Sequence, residues 1–305
     1  MSCFKGMVIM KLNVNKLYLE LTRICNLECI HCLRGEAKNI NINNETIYNL
    51  FKEIKSIDKL LLTGGEVLLV PDKINEIANV LEHYNIEIKE IEIVTNGTIL
   101  NQEIFDSLCN LRRQTSNFNL VLSDDKFHFN EIENKKLKDK RRRNEKIFKR
   151  CFSSFQYNKG KSINKLNLID KKGRAINLTT NLLEEINKDK YQTNYMLTDD
   201  IRIIRKLKPS YNLAYIKDDN VFGTLSIDCF GNITDSVYSY DEDNKIIENH
   251  NINFNSLSEI INNYLYYNVL YNKENGVKWS LYYLDKINDV DKEDIKDKLL
   301  YKKKS

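Results

Sequence analysis

A chain of 305 residues with 42% hydrophobic and 30% charged side chains has the balance of a folded globular protein, long enough for one large domain or two modest ones. Its formal charge of +4 is small for that size and gives no bulk argument for a nucleic-acid partner. No apolar run approaches the ~20 residues that cross a bilayer, and residues 1–10 are too weakly apolar for a secretory leader, so the expected location is the cytoplasm with its thiols reduced.

In chain order, residues 16–22 (KLYLELT) predict a strand, because Leu17, Leu19 and Leu21 alternate with other residues. A loop carrying Cys25, Cys29 and Cys32 follows. Residues 44–57 predict a helix with Ile47, Leu50, Phe51 and Ile54 on one face and Asn43 or Asn44 as its cap. Residues 60–63 are a continuous apolar run, the mark of a strand covered on both faces, and they end at Gly64, Gly65 and Glu66. Pro71 opens a helix whose buried stripe is Ile74, Ile77, Ala78 and Leu81. Residues 91–95 predict the third strand, ending at Asn96 and Gly97. A short helix over 103–111 carries Ile104, Phe105 and Leu108. The fourth strand, 120–123, ends in Asp124 and Asp125.

Residues 131–150 are strongly basic and read as a solvated outer helix; the sharper alternative is a patch that guides an acidic peptide or a nucleic acid. Residues 165–170 are the candidate fifth strand, followed by Gly173, Arg174 and Ala175. Residues 224–235 predict a hairpin turning at Phe230, Gly231 and Asn232. Residues 256–271 predict an amphipathic helix, with Ser256 and Glu259 at capping-box spacing. The last twenty residues are charged, and either fray or form a polar helix. Strands alternating with helices imply βαβ units and a parallel sheet. In such a sheet functional residues gather at the C-terminal ends of the strands, where each motif below falls.

Seven cysteines are an odd number, and the clustering of three favours metal ligation over disulfides. In Cys25-x3-Cys29-x2-Cys32 three thiolates can hold three irons of a [4Fe–4S] cluster and leave one iron open. Zinc is the competitor; it wants four protein ligands, and His31 would serve as the fourth only if the loop folded back.

The segment CNLECIHC, preceded by LELT, resembles the signature of the radical S-adenosylmethionine (SAM) superfamily, with His31 in the aromatic position. The resemblance implies one [4Fe–4S] cluster on Cys25, Cys29 and Cys32, whose open iron chelates the methionine part of SAM. One electron then breaks the S–C5′ bond, and the resulting 5′-deoxyadenosyl radical abstracts hydrogen from a substrate. It implies that Gly64, Gly65 and Glu66 meet the methionine amino group, since glycines admit close backbone approach and a carboxylate suits an ammonium. It also implies that Asn96 shapes the pocket floor, that Ser123 and Asp125 meet the ribose hydroxyls, and that His31 belongs with the cofactor-binding residues. No catalytic side chain is singled out.

Two further segments, DDKFH ending at His128 and Gly173-Arg174-Ala175, resemble peptide-modifying members. Arg174 is then expected to touch SAM or substrate, while His128 is either a proton-transfer group or a packing residue. From Thr224 onward the chain is similar to the approach to a SPASM domain, but the auxiliary-cluster cysteines do not follow. Cys3, Cys109, Cys151 and Cys229 lack C-x-x-C spacing and read as small buried hydrophobes. By analogy with the family, the fold class is α/β: a partial (β/α)6 TIM-like barrel of six parallel strands in an open arc, with a C-terminal α+β extension. The expected division is 1–15 as an N-terminal extension, 16–222 as the core and 223–305 as the C-terminal extension. The implied function is a radical SAM enzyme acting on a peptide or protein. It would draw on an electron donor such as flavodoxin or ferredoxin, with no membrane or nucleic-acid partner. A glycyl-radical activase, a nucleotide- or RNA-modifying enzyme, and a non-catalytic iron–sulfur or zinc module are the alternatives.

Overall fold

The computed structural model describes residues 11–152, 154–158, 162–163, 166–170, 173–179, 194–198, 214–217, 219–234, 246 and 248–261. The first strand, β1 (Leu12–Thr22), buries Leu17, Leu19 and Leu21 completely. Helix α1 (Asn44–Phe51) starts where Asn43 accepts a hydrogen bond from the Thr46 amide at 2.7 Å, satisfying one of the free amides of the first turn.

This helix stops at Phe51, short of its expected end at 57. Ile54 and Ile57 belong instead to β2 (Ile54–Gly64), where they pair with Leu12 and Val14 of β1 and are fully buried. Their spacing after Leu50 and Phe51 mimics a helical stripe. Pairing with β1 buries the same side chains and also satisfies the backbone, which local periodicity does not register.

Helix α2 (Pro71–His83) buries Ile74, Ile77, Ala78 and Leu81, with Pro71 in the first turn, where its missing amide costs nothing. Strand β3 (Glu87–Thr95), helix α3 (Gln102–Arg112) and strand β4 (Asn117–Ser123) follow in alternation. Two helices occupy the basic region, α4 (Lys126–Asn134) and α5 (Lys138–Cys151), separated at Lys136, whose φ of 56° lies in the left-handed region. The reading of this region as a solvated face holds for Lys140, Arg142, Arg143 and Lys146, which are exposed. It fails for Arg141, Asn144 and Phe148, which are buried.

The remaining strands are β5 (Ser154–Asn158), β6 (Ser162–Ile163), β7 (Leu166–Asp170), β8 (Asn194–Thr198), β9 (Tyr215–Lys217), β10 (Asn220–Ile227) and β11 (Ile233–Thr234). Six strands form a parallel series in the order β10-β1-β2-β3-β4-β5, with β9 and β11 added antiparallel on β10. Among the described residues no pairing joins β5 to β10, so the sheet they form is open, as a partial barrel requires. Apolar rungs cross it: Leu225, Leu17, Leu60, Ile91 and Phe118 form one, and Ile227, Leu19, Leu62, Ile93 and Leu120 the next. All ten are buried, and each side chain so enclosed contributes roughly 1.5–3 kcal/mol.

The fifth strand beside β4 is 154–158, not 165–170. The latter range contributes β7 to a separate three-stranded sheet, β6-β7-β8. An edge strand such as SFQYN needs no apolar run, since Gln156 and Tyr157 face water and only part of the strand is covered. The expected hairpin forms between β10 and β11, but its first arm also runs parallel to β1, so the division drawn at 222/223 falls inside β10. Residues 257–261 are helical. Ser256 and Glu259 cap them reciprocally, through Glu259 N–H to Ser256 Oγ at 3.2 Å and Ser256 N–H to Glu259 Oε2 at 3.0 Å. Residues 262–271 of that helix, the last twenty residues, residues 235–241 and Cys3 lie outside the described residues. Among the described residues no helix is long and apolar enough to cross a membrane.

Helix α5 is therefore amphipathic despite its charge. Phe148→Ala should cost about 3–5 kcal/mol, whereas Lys146→Ala on the outer face should stay within about 0.5 kcal/mol, both read from denaturant unfolding midpoints.

Candidate functional site

The C-terminal ends of β1 to β4 and β10 lie on one edge of the sheet, and the cysteine loop leaves β1 there. Its base is closed by Arg23 N–H to Ile40 O at 2.8 Å and Ile42 N–H to Leu21 O at 2.8 Å. Within the loop Cys32 N–H donates to Cys29 O at 3.0 Å, and Leu27 N–H points at Cys25 Sγ at 3.5 Å. Burial pushes the Cys25 thiol up to about 11, against the Leu27 amide, and Glu66 and Cys32 add to the rise. Burial, then Asp125 and the other two loop thiols, push Cys29 higher still. The three thiols thus sit within electrostatic range of one another, and metal uptake must expel their protons.

The turn after β2 is zipped onto the start of this loop. Gly65 N–H donates to Thr22 O and Glu66 N–H to Ile24 O, both at 2.7 Å. A Cβ on Gly64 would strike Thr22 O, and one on Gly65 would strike Ile24 O; the two glycines are needed for that approach. The Glu66 carboxylate is buried and turned toward β3. Its Oε1 accepts from Thr95 Oγ1 at 2.6 Å and Leu68 N–H at 3.1 Å, and its Oε2 accepts from Asn96 N–H at 2.7 Å. Burial raises its affinity for a proton, and these three hydrogen bonds oppose the rise.

Asn96 in turn donates to Asn26 Oδ1 at 3.0 Å, and Asn26 donates to Thr98 Oγ1 at 2.8 Å. Asn26 and Thr98 were not singled out by sequence reasoning. The only signal for Asn26 was its place next to Cys25, and Thr98 carried none.

On the β4 side, Ser123 is buried. Asp125 caps α4 by accepting from His128 N–H at 3.0 Å, and its Oδ2 meets His128 Nδ1 at 2.6 Å and His31 Nε2 at 3.5 Å. Burial resists its charge, yet the two imidazoles hold its carboxyl well below the ordinary carboxylate range. His31 stacks on Phe127 with ring centroids 4.5 Å apart, and burial lowers its affinity for a proton. Its Nδ1 is buried with no hydrogen-bond partner among the described residues. Asp124 pairs with Arg141, which also donates to Ser123 O at 3.0 Å.

Two contacts brace the loop from outside. Glu20, fully buried on β1, accepts from Arg34 Nε at 2.8 Å and pairs with Arg23 at 3.4 Å. Arg174, expected at SAM or substrate, meets the loop backbone: its N–H donates to Cys32 O at 2.9 Å and its Nε to Cys29 O at 3.0 Å.

The structure thus brings Cys25, Cys29, Cys32, His31, Gly64, Gly65, Glu66, Asn96, Ser123, Asp125 and Arg174 to one edge of the sheet. Cys109 and Cys151 stand elsewhere as free thiols, only half-buried against expectation, while Cys229, also free and buried, follows β10 at this edge, where its N–H donates to Glu20 Oε2 at 3.3 Å. Three loop thiols with an adjoining glycine turn fit a [4Fe–4S] cluster that keeps one iron open. Ligand atoms of Cys29, His31 and His128 also lie within 4.8 Å of one another, a grouping that a single metal ion could use.

Residues 19–154 match the family model described as the radical SAM superfamily. Among curated proteins, the chain is 34% identical over 94 residues to the AdoMet-dependent heme synthase of Methanosarcina barkeri, covering 29% of this chain and 26% of that protein. It is 30% identical over 122 residues to the GTP 3′,8-cyclase of Clostridium botulinum, covering 37% of each. The chain thus spans less than two fifths of either relative's length. Among solved structures, Streptococcus suis SuiB bound to the precursor peptide SuiA is similar with a TM-score of 0.47 at 14% identity, over 83% of this chain and 65% of that one.

Beside Glu20, the buried Asp228 carboxyl is raised from 3.8 to about 6 by burial, with Asn232 opposing and Glu20 reinforcing. Its folded form prefers the proton, so its stabilising contribution is complete below pH 3.8 and lost as pH rises through about 6. Asp228→Asn should therefore lose less stability than the unaltered chain as pH rises from about 4 to 7, by roughly 2–3 kcal/mol in that pH dependence, read from unfolding midpoints at each pH.

Proposed function

From the match of residues 19–154 to the radical SAM superfamily we propose that the chain is a member, cleaves SAM reductively and modifies a peptide or protein. The observation that carries the reading is a loop of three cysteines packed against the Gly64–Glu66 turn at the C-terminal edge of a parallel sheet. Cys25, Cys29 and Cys32 would hold the [4Fe–4S] cluster, while Gly64, Gly65, Glu66, Asn96, His31, Ser123 and Asp125 would line the SAM site. When bound, cluster and SAM supply a 5′-deoxyadenosyl radical that takes hydrogen from a substrate carbon.

The chain's own contribution is placement. The zipped glycine turn brings backbone up to the loop. Glu66 Oε2 keeps acceptor capacity beyond its bond to Asn96, which suits an ammonium. Asp125 orients both imidazoles, and the His31 ring on Phe127 closes the loop's flank against water.

The peptide reading is supported by the 124–128 and 173–175 segments, which resemble peptide-modifying members and both contact the cysteine loop or its histidine. It requires an external one-electron donor such as flavodoxin or ferredoxin, and a reducing cytoplasm in which the thiols persist. A nucleotide substrate is the second reading, favoured by the stretch shared with GTP 3′,8-cyclase. A third, a single-metal module, is favoured by the Cys29, His31 and His128 grouping.

Anaerobically reconstituted and reduced, the protein should convert SAM to 5′-deoxyadenosine, with about four irons per chain. Cys25→Ala, Cys29→Ala and Cys32→Ala should each abolish both signals, and Glu66→Ala should keep the iron but bind SAM more weakly. Zinc in place of iron, with no 5′-deoxyadenosine, would select the single-metal module. To separate substrates, short peptides encoded beside this gene should change mass on incubation with enzyme and SAM. Consumption of GTP with the peptides unchanged would select the nucleotide reading.

A further inference from the structure

Gly173 and Arg174 come from a short 3-10 turn far along the chain from the cysteines, yet they are built into the cysteine loop. Gly173 has φ +55°, and a Cβ there would lie 2.5 Å from Leu33 O and 2.6 Å from both Cys32 O and Gly35 N. Only glycine combines that backbone conformation with that contact. The next residue makes two further bonds, one from its amide to Cys32 O at 2.9 Å and one from its Nε to Cys29 O at 3.0 Å. The side chain is largely enclosed, at 11% exposure, and its Nη1 reaches Glu36 at 3.4 Å. One residue therefore grips the carbonyls of two of the three loop cysteines.

We propose that Arg174 is a positioning residue of the cysteine loop, which clasps Cys29 and Cys32 from outside and sets a fixed positive charge beside the cluster. The first half of this statement concerns the loop itself; the second rests on the cluster reading of the preceding subsection.

The start of the loop is tied to the body through Asn26, which bonds Asn96 and Thr98, and through Glu28 N–H to Glu131 at 3.2 Å. At the second and third cysteines, Cys32 N–H to Cys29 O and Gly35 N–H to Cys32 O, at 3.0 and 3.3 Å, are turn contacts within the loop. The Arg174 clasp adds an anchor from a distant part of the chain. A positive charge at that position stabilises the more negative, reduced form of a bound cluster and raises its potential. The planar guanidinium suits the task, since its Nε presents a donor in a fixed direction while other nitrogens pair elsewhere.

The test uses the full-length chain in two forms. In the cluster-free protein, the alkylation rates of Cys29 and Cys32 by iodoacetamide are followed by mass spectrometry, with Cys109 as internal reference. Arg174→Gln should speed Cys29 several-fold and Cys32 less, since the residue-174 amide still holds the Cys32 carbonyl, and should leave Cys109 unchanged; Arg174→Lys should return the rates toward the original. In the reconstituted protein, Arg174→Gln should shift the cluster midpoint potential to more negative values, and Arg174→Lys should restore it. Unchanged loop alkylation in Arg174→Gln would overturn the clasp. So would equal acceleration at Cys109, or a loss that lysine does not rescue, because the side chain would then act through the whole fold. An unchanged potential overturns the charge role. Failure of the unaltered protein to take up iron would instead count against the cluster reading, and the alkylation result would still decide the clasp.

Discussion

Two short backbone hydrogen bonds, from Gly65 to Thr22 and from Glu66 to Ile24, set the geometry on which the rest of the site depends. They draw the turn after β2 against the chain just before Cys25, closer than any side chain at positions 64 and 65 would allow. The Glu66 carboxylate then reaches across to Thr95 and Asn96, and Asn96 reaches back to Asn26 within the cysteine loop. The ends of three adjacent strands and the loop are thereby closed into one hydrogen-bonded circuit. A buried carboxylate is costly unless it is satisfied, and here each of its bonds also positions a part of the site.

The same economy operates on the other side of the loop. Asp125 is buried and would be costly alone, but it serves as helix cap and as partner to two imidazoles. Glu20 is fully enclosed and stands between two arginines, one of which, Arg34, lies two residues after Cys32 and also reaches Thr63 on β2. Charged groups are thus placed at the loop's flanks, while within the loop burial raises the proton affinity of the Cys25 and Cys29 thiols. The apolar rungs beneath, from Leu225 to Phe118 and from Ile227 to Leu120, supply the rigid floor that such precise polar placement needs.

Much of the central sheet was legible in advance because Leu17, Leu19 and Leu21 alternate along β1 and residues 60–63 form a continuous apolar run, and α2 and α3 announce themselves by their apolar stripes. The places where local reading failed have a common cause. Ile54 and Ile57 have helical spacing but gain more from pairing with Leu12 and Val14. Residues 154–158 carry little hydrophobicity because they form an edge. Arg141, inside a run of basic residues, is buried because Asp124 and the Ser123 carbonyl await it. None of these partners is near in sequence.

What the amino-acid order determined by itself is the donor chemistry: three thiols at a spacing that one loop can present, and two glycines with a carboxylate at a strand end. Spacing and residue type are local properties, readable without knowing what lies opposite. Which groups meet was decided only by the tertiary structure. It turned Arg174 onto the carbonyls of Cys29 and Cys32, set Asp125 between His31 and His128, and joined Asn26 to Asn96. Those contacts span tens of residues or more in most cases, and their energies come from burial and charge compensation that exist only once the sheet has brought its strand ends together.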